Sequence, residues 1–277
     1  VEFSFKADTT LDRYSRYAIF LRSPEGEFIL TTEAQYPEVV STYEPNNNRS
    51  TYKGIATSFD AQFSELGAGS AIVPIYWDKL FSDSSSILFF IADGKQYFFN
   101  KSVIDELDVS IRSMNISGSR VYLRLLKSPT SDNADSEYLM PDVYDRDTVA
   151  KIHAAVSFLT ERYSDTVSGK FSGIILGKGW DQPQKYNFCN DASFDEYIDR
   201  CGVYTVIVAN AARSIDPSID VVIPLTADGF TYRADNGNYF GRFTEGLLSY
   251  FDNSFYSGIK CSFLLDVSAS PLNITND

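Results

Sequence analysis

The stretch Phe171–Asn190, FSGIILGKGWDQPQKYNFCN, opens as an apolar strand and stops on glycine. Ile174, Ile175 and Leu176 form the run, Gly177-Lys178-Gly179 breaks it, and Trp180, Asp181, Tyr186 and Asn187 follow at once. A buried strand that empties into aromatic and polar side chains is how α/β sheets deliver groups to a site at their carboxyl ends. The fold turns on whether strands of the same kind, separated by helices, flank it.

They do. Upstream lie a short extended piece at Lys53-Gly54-Ile55 and the apolar runs SAIVPIYW (70–77) and RVYLRLL (120–126). Downstream lie IDVVIPLT (219–226) and CSFLLDVS (261–268). Between them, apolar residues recur at helical spacing: Phe59, Phe63 and Leu66; Ile104, Leu107, Ile111 and Met114 behind a Ser102 cap; Val149, Ile152, Val156, Leu159 and Tyr163; Phe243, Leu247 and Phe251. Ser193-Phe194-Asp195-Glu196 is a capping box, which predicts a helix through Tyr197, Ile198, Cys201, Thr205 and Val208 despite the strand-like run VYTVIV.

Strands buried on both faces and joined through helices predict a parallel sheet with right-handed crossovers. The expected fold class is α/β: a (β/α) TIM-type barrel, incomplete or truncated after its sixth strand. An open doubly wound sheet competes, but Gly177-Lys178-Gly179 is a lone GxG with Gln182 where a third glycine belongs. Residues 1–50 read differently. Short β-rich runs split by Ser23-Pro24-Glu25-Gly26, then the polar Glu44–Ser50, predict a small N-terminal β appendage and linker ahead of a barrel domain over 51–277.

Composition narrows the function. The 277 residues carry 37 acidic and 24 basic side chains, a formal net charge of −13, with no basic cluster to reverse the field locally. A phosphate backbone is repelled by that field, so no nucleic-acid partner is expected. No apolar run reaches the ~20 residues needed to span a bilayer, and the absence of an initiating Met or a basic-plus-apolar leader suggests a mature chain or an excised piece. Three cysteines without CxxC spacing and a single His153 argue against a metal centre and against a His-based nucleophile relay. One bridge, Cys189–Cys201, stays open beside the reading of three buried thiols. No cofactor is expected. An acidic chain with 18 Tyr and 21 Phe suits an extracellular or cell-surface protein handling neutral polar ligands. No sequence feature sets an oligomeric state.

The candidate site residues cluster at predicted strand ends. Trp77 and Trp180 offer either a sugar platform, since an indole packs on the C–H face of a pyranose, or core-capping aromatics. Asp181, Asp228 and Asp266 are the candidate carboxylates, each also explicable as a turn or strand-end residue. Arg124 and Lys178, with Lys127, either receive a carboxylate-bearing sugar or form a structural network with Asp78 and Asp181. Tyr186 and Asn187 supply a hydrogen-bonding edge or tether the loop.

TYKGIATSFDAQFSELGAGSAIVPIYWDKL (51–80), DGKQYFFNKSVIDELDVSIRSMNISGSRVYLRLL (93–126) and MPDVYDRDTVAKIHAAVSFLTERYS (140–164) together resemble a bacterial family of uncharacterised, glycoside-hydrolase-like barrels. The resemblance covers most of residues 51–271 and implies a carbohydrate partner, an oligo- or polysaccharide. It also implies a fourth strand ending in Asn-Glu, the Glu being the acid/base, with a His-x-Tyr on the sixth strand and a nucleophile on the seventh. Lys178 and Gly179 stand at the Asn-Glu positions, Leu225-Thr226-Ala227 and Ser268-Ala269-Ser270-Pro271 at later ones. Glycoside cleavage needs two carboxyl groups roughly 5 to 9.5 Å apart, and glycine donates no proton. The expectation is therefore a sugar-binding pseudoenzyme, with an active hydrolase using relocated carboxylates and a module without a sugar site as alternatives.

Overall fold

The apolar run of the quoted stretch folds as β8, Gly173–Leu176, buried along its whole length. The computed structural model describes residues 18, 20–22, 28–30, 54–56, 69–83, 86–128, 140–164, 168–183, 187, 192–226, 239–253, 259 and 261–266. Around β8 stand β3 (Gly54–Ala56), β4 (Ser70–Tyr76), β7 (Arg120–Leu126), β9 (Asp220–Thr226) and β10 (Ser262–Asp266). They form one six-stranded sheet in the order β10-β9-β8-β7-β4-β3, every pair parallel.

That order runs monotonically along the chain, with no reversal. A doubly wound sheet needs a switch point, and none exists here. With right-handed crossovers, winding in one direction puts every connecting helix on the same face. The packing agrees. Ala71, Val73 and Ile75 of β4, Val121, Leu123 and Leu125 of β7, Ile174 and Leu176 of β8, and Val221, Ile223 and Leu225 of β9 share one core with the helices. The alternate residues Tyr122, Ile175 and Val222, with Ile72 and Leu264 against them, make a separate small cluster on the other face. One-sided winding is the geometry of a barrel wall. Among the described residues the sheet is open, with β3 and β10 at its edges.

The helices are α1 (Lys101–Ile116), α2 (Arg146–Arg162), α3 (Phe194–Arg213) and α4 (Tyr239–Asn253). Three have caps in the described structure. Asn100, two residues before the expected Ser102, caps α1 by accepting from the Ser102 amide. Asp145 accepts from the Thr148 amide, and Ser193 from that of Glu196, the amide half of the expected box. The β-branched run inside α3, Val203–Val208, is helical because it is buried throughout, and burial overrides local strand propensity. Pro74 lies past the last β4 residue paired to β3 (Ala56↔Ile72) and Pro224 past the last β9 residue paired to β8 (Ile175↔Val222), so each keeps a paired neighbour on one side only, Arg124 of β7 and Leu264 of β10, and a missing amide there costs the ladder least.

One feature escaped the sequence reading. β5 (Phe89–Ala92) and β6 (Lys95–Phe98) form an antiparallel hairpin between β4 and α1. Its turn, Asp93-Gly94, has φ of 50° and 76°, the left-handed pair that Asp-Gly supplies readily and that is the strongest short-range hairpin signal. In the N-terminal segment, β1 (Phe20–Arg22) and β2 (Phe28–Leu30) pair antiparallel. The helix expected over Phe59–Leu66 lies outside the described residues.

Candidate functional site

Because all six strands are parallel, their carboxyl ends lie on one side of the sheet. Register places Tyr76 beside Leu126, and Thr226 beside Asp266. The loop after β8 is fixed to both neighbours. The Gly177 amide donates to the Leu125 carbonyl of β7 at 2.8 Å, and the Trp180 amide to the Pro224 carbonyl of β9 at 2.9 Å. Gly177 and Gly179 take left-handed φ of 68° and 55°. Only glycine adopts these without strain, so the loop turns twice within three residues and holds Lys178 between the turns.

Asp181 does not face solvent. It is 4% exposed, and its two carboxylate oxygens accept from the Thr226 amide and the Thr226 hydroxyl, each at 2.8 Å. Gln182 adds a bond from its amide nitrogen to Thr226 Oγ1 at 2.7 Å. The carboxylate closest to the strand end is thus a brace between β8 and β9. Thr226 and Gln182 were not singled out from sequence, although a threonine ending an apolar strand is a visible marker of such a partner.

Trp180 is 1% exposed and packs on Tyr204, ring centroids 6.0 Å apart. Its carbonyl accepts from the Tyr197 hydroxyl at 2.8 Å, and Asn187 Nδ2 donates to that same hydroxyl oxygen at 3.1 Å. In this arrangement Trp180 plugs the core and offers no ring face to a ligand, and Asn187, 3% exposed, ties the loop internally. Trp77 is likewise buried, at 4%, within the helix-side core. Tyr186, Asp228 and Cys189 lie outside the described residues, and of Asp266 only the backbone register beside Thr226 is described.

Asp78 follows β4 in the single-turn helix Trp77–Leu80 and accepts from the Ser128 amide, just past β7, at 2.9 Å. Arg124, 7% exposed, sits on the sheet face away from the helices, in register with Pro74 and Ile175. The bonds described for Asp78 and Asp181 go to Ser128 and Thr226, on the ends of neighbouring strands.

Neither Cys201 nor Cys261 stands in a disulfide, which sets aside the Cys189–Cys201 bridge. Burial pushes the Cys261 thiol up to about 11, against the nearby Arg213 that pulls it down, leaving it protonated at neutral pH. Among the described residues no group of three or more His, Cys, Asp or Glu is placed to hold a metal, and no helix is long and apolar enough to cross a membrane.

The profile of a family of unknown function, DUF5722, matches residues 45–254. No curated protein matches the sequence. Among solved structures, an enzyme named AHE from Alicyclobacillus herbarius is 14% identical over 69% of this chain and 40% of its own, with a TM-score of 0.40. An exo-β-1,4-mannosidase from Opitutaceae bacterium strain TAV5 is 13% identical over 70% of this chain and 35% of its own, TM-score 0.44. The virulence factor SghA from Agrobacterium tumefaciens is 10% identical over 69% and 41%, TM-score 0.40. The chain thus spans well under half of these structures, and likeness this loose carries no argument about activity.

Proposed function

From the premise that this chain belongs to the DUF5722 family of unknown function, we propose that it recognises carbohydrate at the carboxyl-side mouth of a glycoside-hydrolase-like (β/α) barrel that has lost the standard acid/base glutamate. The observation that carries the reading is Asp181. The carboxylate best placed to replace a missing glutamate spends both oxygens on Thr226 and is buried. A general acid must hold a proton and reach a leaving-group oxygen; two donors from one strand end favour the charged form of this carboxylate, and its burial keeps it from a ligand. Gly179, at the position where the resembled barrels carry glutamate, points the same way. One-directional winding of the sheet supports the barrel wall, and the strand ends bearing Asp78, Ser128, Lys178, Gln182 and Thr226 supply the polar lining that a sugar's hydroxyls require. An extracellular or surface location belongs to the same proposal.

The test is a panel of oligosaccharides assayed in parallel for binding, by calorimetry, and for release of reducing ends. Binding without release is the expected result. Release of reducing sugar would restore the hydrolase reading, and Asp181→Asn and Asp266→Asn would then identify the carboxylate. No binding to any glycan would favour an interaction module without a sugar site.

A further inference from the structure

The β5–β6 hairpin turns an apolar edge outward. Ala92 and Lys95 pair across the two-residue turn Asp93-Gly94, which makes them the closing pair that exchanges hydrogen bonds. Bonded pairs then alternate along the ribbon, and the Phe99 amide, donating to the Leu88 carbonyl at 2.8 Å, carries on the same phase. Phe90↔Tyr97 is therefore a bonded pair, while Phe89↔Phe98 and Ile91↔Gln96 are not. The amides and carbonyls of Phe89 and Ile91 point away from β6. Among the described residues β5 has no second neighbouring strand.

The side chains along that edge are as open as its backbone. Leu88, Phe90 and Ala92 pack against the helix-side core, whereas Phe89 is 47% exposed, Ile91 59% and Ile87, just ahead of the strand, 78%. Phe98 of β6 meets Phe89 edge to face, ring centroids 6.5 Å apart, and widens the apolar face. Sheet edges are ordinarily guarded by lysine, proline or a bulge. From Ser84 to Ala92, SSSILFFIA, there is no charge and no proline, which leaves the edge a template for another strand.

We propose that this strand comes from a second copy of the chain, joined β5 to β5 in antiparallel across a two-fold axis at Phe90. That axis sets Phe89 of each copy opposite Ile91 of the other, and each such pair exchanges its outward hydrogen bonds across the seam. Leu88 then faces Ala92, so every pair along the seam is apolar. Charge selects the occupant. The formal net charge of −13 repels a second copy at long range, but residues 84–98 carry one acid, Asp93, and one base, Lys95. Asp93 falls opposite Ile87, and no carboxylate meets a carboxylate. A cationic partner is drawn to acidic surface, not to a neutral ribbon. With Ile87, Phe89 and Ile91 the exposed apolar residues on each side, the interface is smaller than the ~800 Å² per partner of a standard one, so association is reversible.

Sedimentation velocity of the full chain from about 1 to about 100 μM, at low and high salt, tests the pairing. The variants are Ile91→Lys, Ile91→Ala, Ile91→Pro and, on exposed Val109 of α1, Val109→Lys as control, each with its melting temperature. The expected result is a monomer–dimer equilibrium that high salt strengthens, because screening relieves the repulsion between acidic copies. Ile91→Lys should abolish it and Val109→Lys leave it unchanged. Ile91→Pro should weaken it about 5-fold or more beyond Ile91→Ala, since proline also removes the outward amide, which the β6 ladder does not use. If Ile91→Pro melts early, Ile91→Lys, at an exposed position, decides alone. A wild type still monomeric at about 100 μM overturns the proposal and leaves the edge to a different chain. A dimer indifferent to the Ile91 variants, or one that salt dissociates, overturns it as well. Equal affinity in folded Ile91→Pro and Ile91→Ala overturns the strand pairing, because copies that meet through side chains alone need no amide.

Discussion

Asp181 and Thr226 are 45 residues apart in sequence and meet through two hydrogen bonds of 2.8 Å, one from the Thr226 amide and one from its hydroxyl. The pair closes the carboxyl end of the β8–β9 seam just where β8 has stopped pairing. Charge-assisted bonds of this kind contribute about 1.5–3 kcal/mol, and removing one partner from a buried pair costs most. Asp181→Ala should lower the urea-unfolding free energy by about 3 kcal/mol, and Asp181→Asn by about 1–2 kcal/mol, because one amide oxygen still accepts the backbone bond. Thr226→Val should reproduce the smaller loss. Unchanged stability in Asp181→Asn would return this carboxylate to the catalytic candidates.

Substituting Trp180 separates a platform from a plug. A ring 1% exposed and packed on Tyr204 is a structural element. Trp180→Ala should cost about 3–5 kcal/mol, with a fall in melting temperature, and Trp180→Phe much less. A Trp180→Ala protein of unchanged melting temperature but weakened glycan binding would show instead that the ring meets the ligand.

The sheet was legible in the sequence because each strand reads as an apolar run bounded by turn residues, and the run-to-run spacing leaves room for one helix. β7 and the capping-box helix α3 follow directly from that pattern. The site was less legible, and Asp181 shows why. A carboxylate after a strand reads as either a site residue or a turn residue, and its partner lies 45 positions away on a strand whose register is a tertiary fact. The same holds for Trp180, whose burial depends on Tyr197 and Tyr204 from a helix the local sequence does not announce as its neighbour. The β5–β6 hairpin is a different case: Asp93-Gly94 is a local signal, sufficient by itself to mark the turn.

Gly202 of α3 lies against the ring of Tyr250 from α4, and a Cβ there would overlap three ring atoms. The three nearest atoms all belong to that one ring. Gly202→Ala should destabilise the fold by about 1–3 kcal/mol through overpacking, even though alanine is the better helix former. Tyr250→Ala should be costly alone, yet the double substitution should cost less than the sum. An additive cycle would mean that the helices separate freely and that this close approach does not fix α3 against α4.

Acid should loosen the protein through Asp108. This α1 carboxylate accepts from Arg162 Nε at 2.9 Å and Nη2 at 2.5 Å, and from the Tyr163 hydroxyl at 2.9 Å, joining α1 to the end of α2. Burial pushes its pKa up, but the bonds from Arg162 and Tyr163 and the charges of Arg162 and Arg112 outweigh that and hold it below the ordinary carboxylate value. A group depressed in the folded state contributes stability that is fully present above its unfolded value of about 3.9 and lost as pH falls through the lower folded value. Wild-type unfolding free energy should therefore fall, as the pH drops below about 4, by more than that of Asp108→Asn, which has nothing to protonate there. At pH 7 the same substitution should cost about 2–3 kcal/mol, since it leaves Arg162 without its counter-charge. Parallel pH profiles for the two proteins would show that the clamp contributes no linked stability and that other carboxylates govern acid unfolding.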